Sequence, residues 1–279
     1  MLAVARATVV YSSEYRPRII EQLRRVIAYR EFLFVLSQRD LKLRYRQTIL
    51  WVLWAVLPPV LLMGVFSVFL GRFAKIPSDG LPYPVFVYAG LLPWTFFSSV
   101  ITTSTASIAV NNELVSKIAF PREILPWASI LGQGVDFLIS AAVFAGLLLY
   151  YGVAVSWTVL FVVPLLAIQV LFMASVGLVF AAFQVYYRDV RYVVPLLLQV
   201  WMFATPVVYS STSVPEWLRP FYLGLNPMAI LIQGYRDVVL KGTLPDVGLV
   251  GALGISMVGL FLACYTVFKR AERNFADVI

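Results

Sequence analysis

ILWVLWAVLPPVLLMGVFSVFL, residues 49–70, carries no charge over 22 positions. At about 1.5 Å per residue, a helix of that length reaches roughly 33 Å, enough to cross the ~30 Å hydrocarbon core of a bilayer. Lipid offers no hydrogen bonds, so the backbone must satisfy itself, and the stretch reads as a transmembrane helix. Pro58 and Pro59 should kink it. Further apolar segments follow at about 84–106, ending in TTST at 102–105, and at 124–152, which carries the single charge Asp136. Another runs over 157–186, with Pro164 near its start. A short one at 193–209 is broken by Pro195 and Pro206, and the last, 247–268, contains Gly248, Gly251, Gly254 and Gly259. These glycines would allow close helix packing, although Gly is common in membrane helices generally. The expectation is an all-α polytopic membrane protein with six transmembrane helices.

Composition agrees. The 279 residues are 61% hydrophobic and 13% charged, with a mean hydropathy of +0.86. Soluble chains sit nearer 45–50% apolar, and a soluble fold has too little interior to hide the excess. The sequence has no histidine and one cysteine, Cys264. This excludes a Ser-His-Asp triad, a Cys-His pair, an HExxH zinc site and an internal disulfide framework. No metal site and no catalytic residues are expected. About 47 polar and basic residues precede the first apolar run, so no cleavable signal peptide is expected.

The net charge of +8 sits between apolar runs and reads as topology, not as nucleic-acid binding. Six spans put both termini on one side. That side collects ten Lys and Arg from Arg6 to Arg46, then Lys117, Arg122, Arg188, Arg191, Lys269, Arg270 and Arg273. Only Arg72, Lys75, Arg219, Arg236 and Lys241 fall on the other. By the positive-inside rule both termini are cytoplasmic. The domain reading is a cytoplasmic tail over 1–30, one transmembrane domain over 31–271 and a cytoplasmic tail over 272–279.

Two stretches do not span. Residues 31–47 place Phe32, Leu36 and Leu43 on one helical face, with Arg39 and Arg46 elsewhere, and read as an amphipathic interfacial helix. Residues 210–246 contain an apolar piece, 227–240, too short to cross and carrying Arg236 and Asp237. It reads as a pair of short re-entrant or surface helices before the last span.

No GxxxxGK[ST] loop is present, so ATP-driven transport would need another chain. Asp136 is the one clear candidate for ion coupling at membrane depth; its alternative is pairing with a hydroxyl or basic group on a neighbouring helix. The loop over 107–126 should form a short helix capped by Asn111 or Asn112 and ended by Pro121. Exposed Leu114, Val115 and Ile118 would suit docking into a partner groove, or the helix would lie on the membrane surface. The basic run Arg39, Lys42, Arg44 and Arg46 reads as lipid-snorkelling or as phosphate capture. The aromatics read as interfacial belts or as a ring-lined pathway on which sugar faces slide.

The order of these parts resembles the ABC-2 type permeases that export polysaccharides of the O-antigen, capsule and teichoic-acid types. The resemblance is carried by RDLKLRYRQT at 39–48, YAGLLPWTFF at 88–97, LVSKIAFPREILP at 114–126, YYRDVRY at 186–192, ATPVVY at 204–209 and LNPM at 225–228. It implies a homodimer of this chain with two ATP-binding ABC subunits, in a bacterial inner membrane, moving a lipid-linked glycan from the cytoplasmic side. ATP and Mg would belong to the partner, with no cofactor in this chain. Carried over, Asn112, Glu113, Leu114, Val115 and Lys117 would couple to the ATPase. Arg39, Arg44, Tyr45 and Arg46 would form the substrate gate. Trp94, Phe97, Trp201, Phe203 and Tyr209 would line a pathway between two permeases. The alternatives are an ABC-2 exporter of a drug or another lipid, and an integral membrane enzyme. The enzyme is disfavoured because the carboxylates Asp40, Glu113, Glu123 and Asp189 are scattered.

Overall fold

The computed structural model describes residues 19–45 and 51–275. Among them the chain is helical, with no strand. The helices are α1 (Ile19–Ala28), α2 (Arg30–Tyr45), α3 (Trp51–Phe66), α4 (Tyr83–Val110), α5 (Asn112–Lys117), α6 (Ile124–Tyr150), α7 (Val162–Tyr186), α8 (Val190–Phe203), α9 (Arg219–Leu225), α10 (Pro227–Arg236) and α11 (Val247–Ala271).

Five helical stretches are long and apolar enough to cross a membrane: Leu53–Phe73, Tyr83–Val110, Ile124–Tyr150, Trp157–Tyr186 and Val247–Asn274. The sixth candidate differs from its expected 193–209. As α8 it starts three residues earlier and stops at Phe203, so it reaches only about 21 Å. Pro206 lacks the N–H a continuing turn needs and disfavours helical backbone at the residue before it.

α4 is the central helix. Its sides meet α3, α6, α7, α8 and α10, and most of its residues from Val85 to Ile108 are buried. It runs beyond the expected end because its polar run stays helical. Thr102, Thr103 and Thr105 donate to the carbonyls of Ser98, Ser99 and Ile101, one turn back. α3, in contrast, is apolar on every side and little buried, with Leu53, Trp54, Leu61 and Val65 exposed. It passes through both prolines. Pro59 has no N–H for the carbonyl of Ala55, which accepts Ser140 Oγ from α6 at 3.3 Å instead.

Each end of the bundle is tied across distant segments. At one end, Lys241 pairs with Asp79 and Asp237, both at 3.2 Å, and Thr158 Oγ1 donates to Val238 O at 2.7 Å. At the other, Tyr186 Oη donates to Ala271 O at 2.9 Å, and Arg122 Nη1 donates to Glu272 O at 2.7 Å.

The region before α11 forms the expected short helices, α9 and α10. α10 is embedded in protein: Met228, Ala229, Leu231, Ile232 and Arg236 are buried against α4, α7 and α11. The tail ahead of residue 31 holds an unanticipated helix. α1 has apolar residues at 19, 20, 23, 26 and 27, with charges at 21, 24 and 25, a one-sided pattern sharper than that of α2. α2 packs lengthwise on α6, with Leu36 and Ser37 buried and Ser37 Oγ donating to Ala128 O at 3.3 Å. Leu43, expected on the apolar face with Phe32 and Leu36, is exposed.

Of the glycines of α11, Gly254 faces α7, where a Cβ would meet Ile168 at 3.5 Å. Nothing lies within 4 Å of a side chain built at Gly251 or Gly259. The intolerant position is Gly90 of α4, where a Cβ would overlap the Val207 carbonyl oxygen and lie 2.8 Å from Arg236 Nη2. Gly90→Ala is expected to abolish recovery of monodisperse protein in detergent, while Gly259→Ala leaves it unchanged. Equal size-exclusion profiles for the two variants would contradict the packing described.

Candidate functional site

The candidate residues fall into three places. The first is the surface of α5. Asn111 joins α4 to α5 and is held from both sides: its Nδ2 donates to Ser107 O at 2.8 Å, and its Oδ1 accepts from Arg39 Nη2 of α2 at 2.5 Å. Arg39 also pairs with Asp40 at 2.8 Å. Arg39 therefore belongs with α5 and not with the other gate candidates. Asn112 Oδ1 accepts the Glu113 N–H, and Glu113 pairs with Lys117 one turn on at 3.2 Å, both side chains well exposed. A surface depression of about 400 Å³ lies here, bordered by Arg39, Asn112, Glu113, Leu114, Lys117 and Ile118. Ile118 is exposed, Leu114 is half-buried, and Val115 is buried. The expectation of an exposed Val115 is thus corrected: α5 lies against the bundle, and Val115 is on its inward face.

Behind α5 lies a buried carboxylate. Glu123, at the start of α6, is fully buried. It accepts from Tyr265 Oη at 2.9 Å and pairs with Lys269 Nζ at 2.5 Å, both on α11. Lys269 also pairs with Glu272, which accepts the Arg122 N–H. Burial, and then the charge of Glu272, push the Glu123 carboxyl above its ordinary range, against the opposing pull of Lys269. The segment that leaves α5 is therefore locked to the C-terminal helix. From sequence Glu123 was one of four scattered carboxylates; its only signal is its place between Pro121 and Pro126.

The second place is where the end of α2 meets α6. Asp136 is not isolated. Arg44 Nη1 pairs with its Oδ2 at 2.7 Å, and Tyr45 Oη donates to its Oδ1 at 2.5 Å. Arg44 also donates to Gln133 Oε1 at 3.2 Å. Burial, with the bond to Asp136 second, raises the Tyr45 phenol to about 12, so it remains a donor to the carboxylate. The pairing reading of Asp136 is the one the geometry matches. Arg46 lies outside the described residues.

The third place is the aromatic set. Trp94 and Phe97 sit inside this chain's own core, 3% and 0% exposed. They pack with Phe172 and Trp201: Phe97 stacks on Phe172 at 5.2 Å, and Trp201 meets both Trp94 and Phe97 edge-on. In this conformation both rings are enclosed by side chains of the same chain. Trp201 is half-buried and donates to Asn226 Oδ1 at 3.3 Å. Phe203 is exposed, and Tyr209 Oη lies 3.0 Å from Tyr222 Oη.

Two motifs that looked unrelated hold each other. Asn226 of LNPM caps α10 through the Ala229 N–H and donates to Ala204 O and Thr205 Oγ1 of ATPVVY. Arg236, 1% exposed, then donates to Pro206 O at 2.7 Å, Val207 O at 2.6 Å and Tyr209 O at 3.2 Å. Its guanidinium lies 3.7 Å from the Phe86 ring centroid. The carbonyls of the turn that follows α8 are thereby satisfied from α10.

The comparisons with known proteins agree with one another. The family profile described as "ABC-2 type transporter" matches residues 31–240. An O-antigen export system permease protein, RfbA, of Myxococcus xanthus is 33% identical over 94% of this chain and 100% of its own length. The RfbA permease of Klebsiella pneumoniae is 29% identical over 89% of this chain and 95% of its own. A polysialic acid transport protein, KpsM, of Escherichia coli is 26% identical over 84% and 91%. With a family match over most of its length and a relative that aligns end to end, this chain belongs to the ABC-2 type transporter family.

Proposed function

We propose that this chain is the membrane-spanning permease of an ATP-driven exporter that moves a lipid-linked polysaccharide, of the O-antigen, capsule or teichoic-acid type, from the cytoplasmic side across a bacterial inner membrane. It would act as a homodimer with two ATP-binding ABC subunits. Both termini would be cytoplasmic, with α8 and the turn pinned by Arg236 completing a sixth crossing. ATP and its magnesium would be held by the partner. Full-length similarity to O-antigen export permeases supports the substrate class.

The observation that carries the coupling reading is the α2–α5 surface, where exposed Glu113, Lys117 and Ile118 border a depression anchored by Arg39. An exposed charged pair around an apolar residue suits a partner groove. Movement imposed on α5 would pass through Glu123 and Lys269 into α11. Trp94, Phe97, Trp201, Phe203 and Tyr209 are the candidates for the pathway; Trp201, Phe203 and Tyr209 are accessible in this chain, and Trp94 and Phe97 would need the core to open.

The test is ATP hydrolysis by this chain co-purified with a candidate ATPase. Glu113→Arg and Ile118→Asp should each weaken the complex by about 1–2 kcal/mol, roughly 5- to 30-fold in affinity, and lower its turnover. Val115→Asp should instead unfold the permease, because that side chain is buried. If both surface variants bind and hydrolyse as the parent does, α5 is not the coupling element.

A further inference from the structure

A cavity of about 740 Å³ lies between α2, α3, α4 and α6 and is lined in part by the Arg44–Asp136 pair. At about 1.5 Å per residue, Asp136 is roughly 18 Å along α6 from Ile124, well into the span. The wall is rich in hydroxyl groups, and four of them already donate to backbone carbonyls. Thr95 Oγ1 donates to Leu92 O, Ser98 Oγ to Thr95 O, Thr103 Oγ1 to Ser99 O, and Ser140 Oγ to Ala55 O. Each oxygen keeps its lone pairs as acceptors. Among the described residues, the one cation lining the cavity, Arg44, is paired with Asp136. Phe96 and Phe137 add a stacked ring pair, with centroids 4.7 Å apart.

A phosphate brings acceptors and negative charge. Among the described lining residues it would find the Ser99 hydroxyl and the Gln133 amide as donors, beside several acceptors and a cation already paired. A neutral polyol brings donors for the hydroxyl oxygens and C–H faces for the rings. We propose that this cavity is a binding site for an uncharged sugar unit, held by Ser98 and Thr103 acting as acceptors and by the Phe96–Phe137 ring pair. The inference rests on the polysaccharide-export reading and adds a saccharide site within one permease chain. Arg44 then serves to balance Asp136 and does not capture phosphate.

The experiment uses the assembled transporter in cells that display the exported glycan, scored per permease present in the membrane. Thr103→Val and Ser98→Ala each remove one acceptor and should lower export roughly 2- to 10-fold at limiting substrate. Thr103→Ser restores the oxygen and should restore export. Thr102→Val, on the same helix but outside the cavity lining, should export as the parent does. A second arm places Ser99→Cys in a Cys264→Ser background. It compares labelling by a methanethiosulfonate carrying glucose with labelling by methyl methanethiosulfonate, and protection from both by purified glycan.

Preferential labelling by the glucosyl reagent, blocked by glycan, supports the site. Undiminished export by the Thr103→Val/Ser98→Ala double variant overturns it, as does a phospholipid, found by native mass spectrometry, that blocks labelling where glycan does not. If the parent complex displays no glycan at all, the export reading itself fails, which is a different result.

Discussion

Arg236→Met is expected to leave little folded protein. The substitution keeps much of the apolar stem but withdraws the donors from Pro206, Val207 and Tyr209. Each buried carbonyl left without a partner costs about 1–3 kcal/mol. The total, several kcal/mol, is comparable with the whole stability of an ordinary domain, about 5–15 kcal/mol. Arg236→Lys should recover only part, because a single ammonium cannot fan out to three carbonyls and lie over the Phe86 ring together. Thermal unfolding in detergent, followed by size-exclusion chromatography, measures the effect. A midpoint for Arg236→Met within a degree or two of the parent would mean that the turn is held by something else.

The second large effect is at Glu123. Lys269→Met strips the ion pair from a carboxylate that is fully buried. Breaking one partner of a buried pair costs about 3–5 kcal/mol, whereas replacing both is often near neutral. The double variant Glu123→Gln/Lys269→Met should therefore be more stable than Lys269→Met alone, with a coupling of about 2–3 kcal/mol in the cycle. Acidity supplies a check on sign. The folded-state pKa of Glu123 lies above its unfolded value, so the stability gained from its protonation is complete below the ordinary carboxylate range and is lost as pH rises through the raised value. Removing Lys269 takes away a charge that held the pKa down. The defect of Lys269→Met should then shrink as pH falls and be largest near neutrality. A defect that does not change with pH would place the loss outside the ion pairs, for example in the contact between Lys269 and the Tyr265 ring.

Charge-free runs made the long helices legible, since lipid demands them and few soluble segments have them. Their ends were harder to read. The threonines of α4 look like a terminus by hydropathy, yet they bond within the helix. Pro206 looks like a kink but ends α8. α1 was readable from the spacing of its five apolar residues, but its charges made the tail look unstructured. The pins were the least visible. Arg236 and Glu123 appear in sequence as interruptions of apolar text, and a backbone carbonyl, the usual partner of Arg236, has no residue signature. Aromatic rings were ambiguous for a related reason. Trp94 and Phe203 are equally apolar, and only packing tells the enclosed ring from the exposed one.

The distance in sequence between the turn and its donor bears on how the chain is made. Pro206 precedes Arg236 by thirty residues. During synthesis, α8 and the turn after it, with the carbonyls of Pro206, Val207 and Tyr209, emerge well before the guanidinium that satisfies them. Until α10 has been translated and has docked on α4, this end of α8 must stay at a hydrated boundary or within the insertion machinery. The first half of the protein can settle in the membrane in the order it is translated; the second half closes only after α10 arrives, so its assembly is governed by a late step.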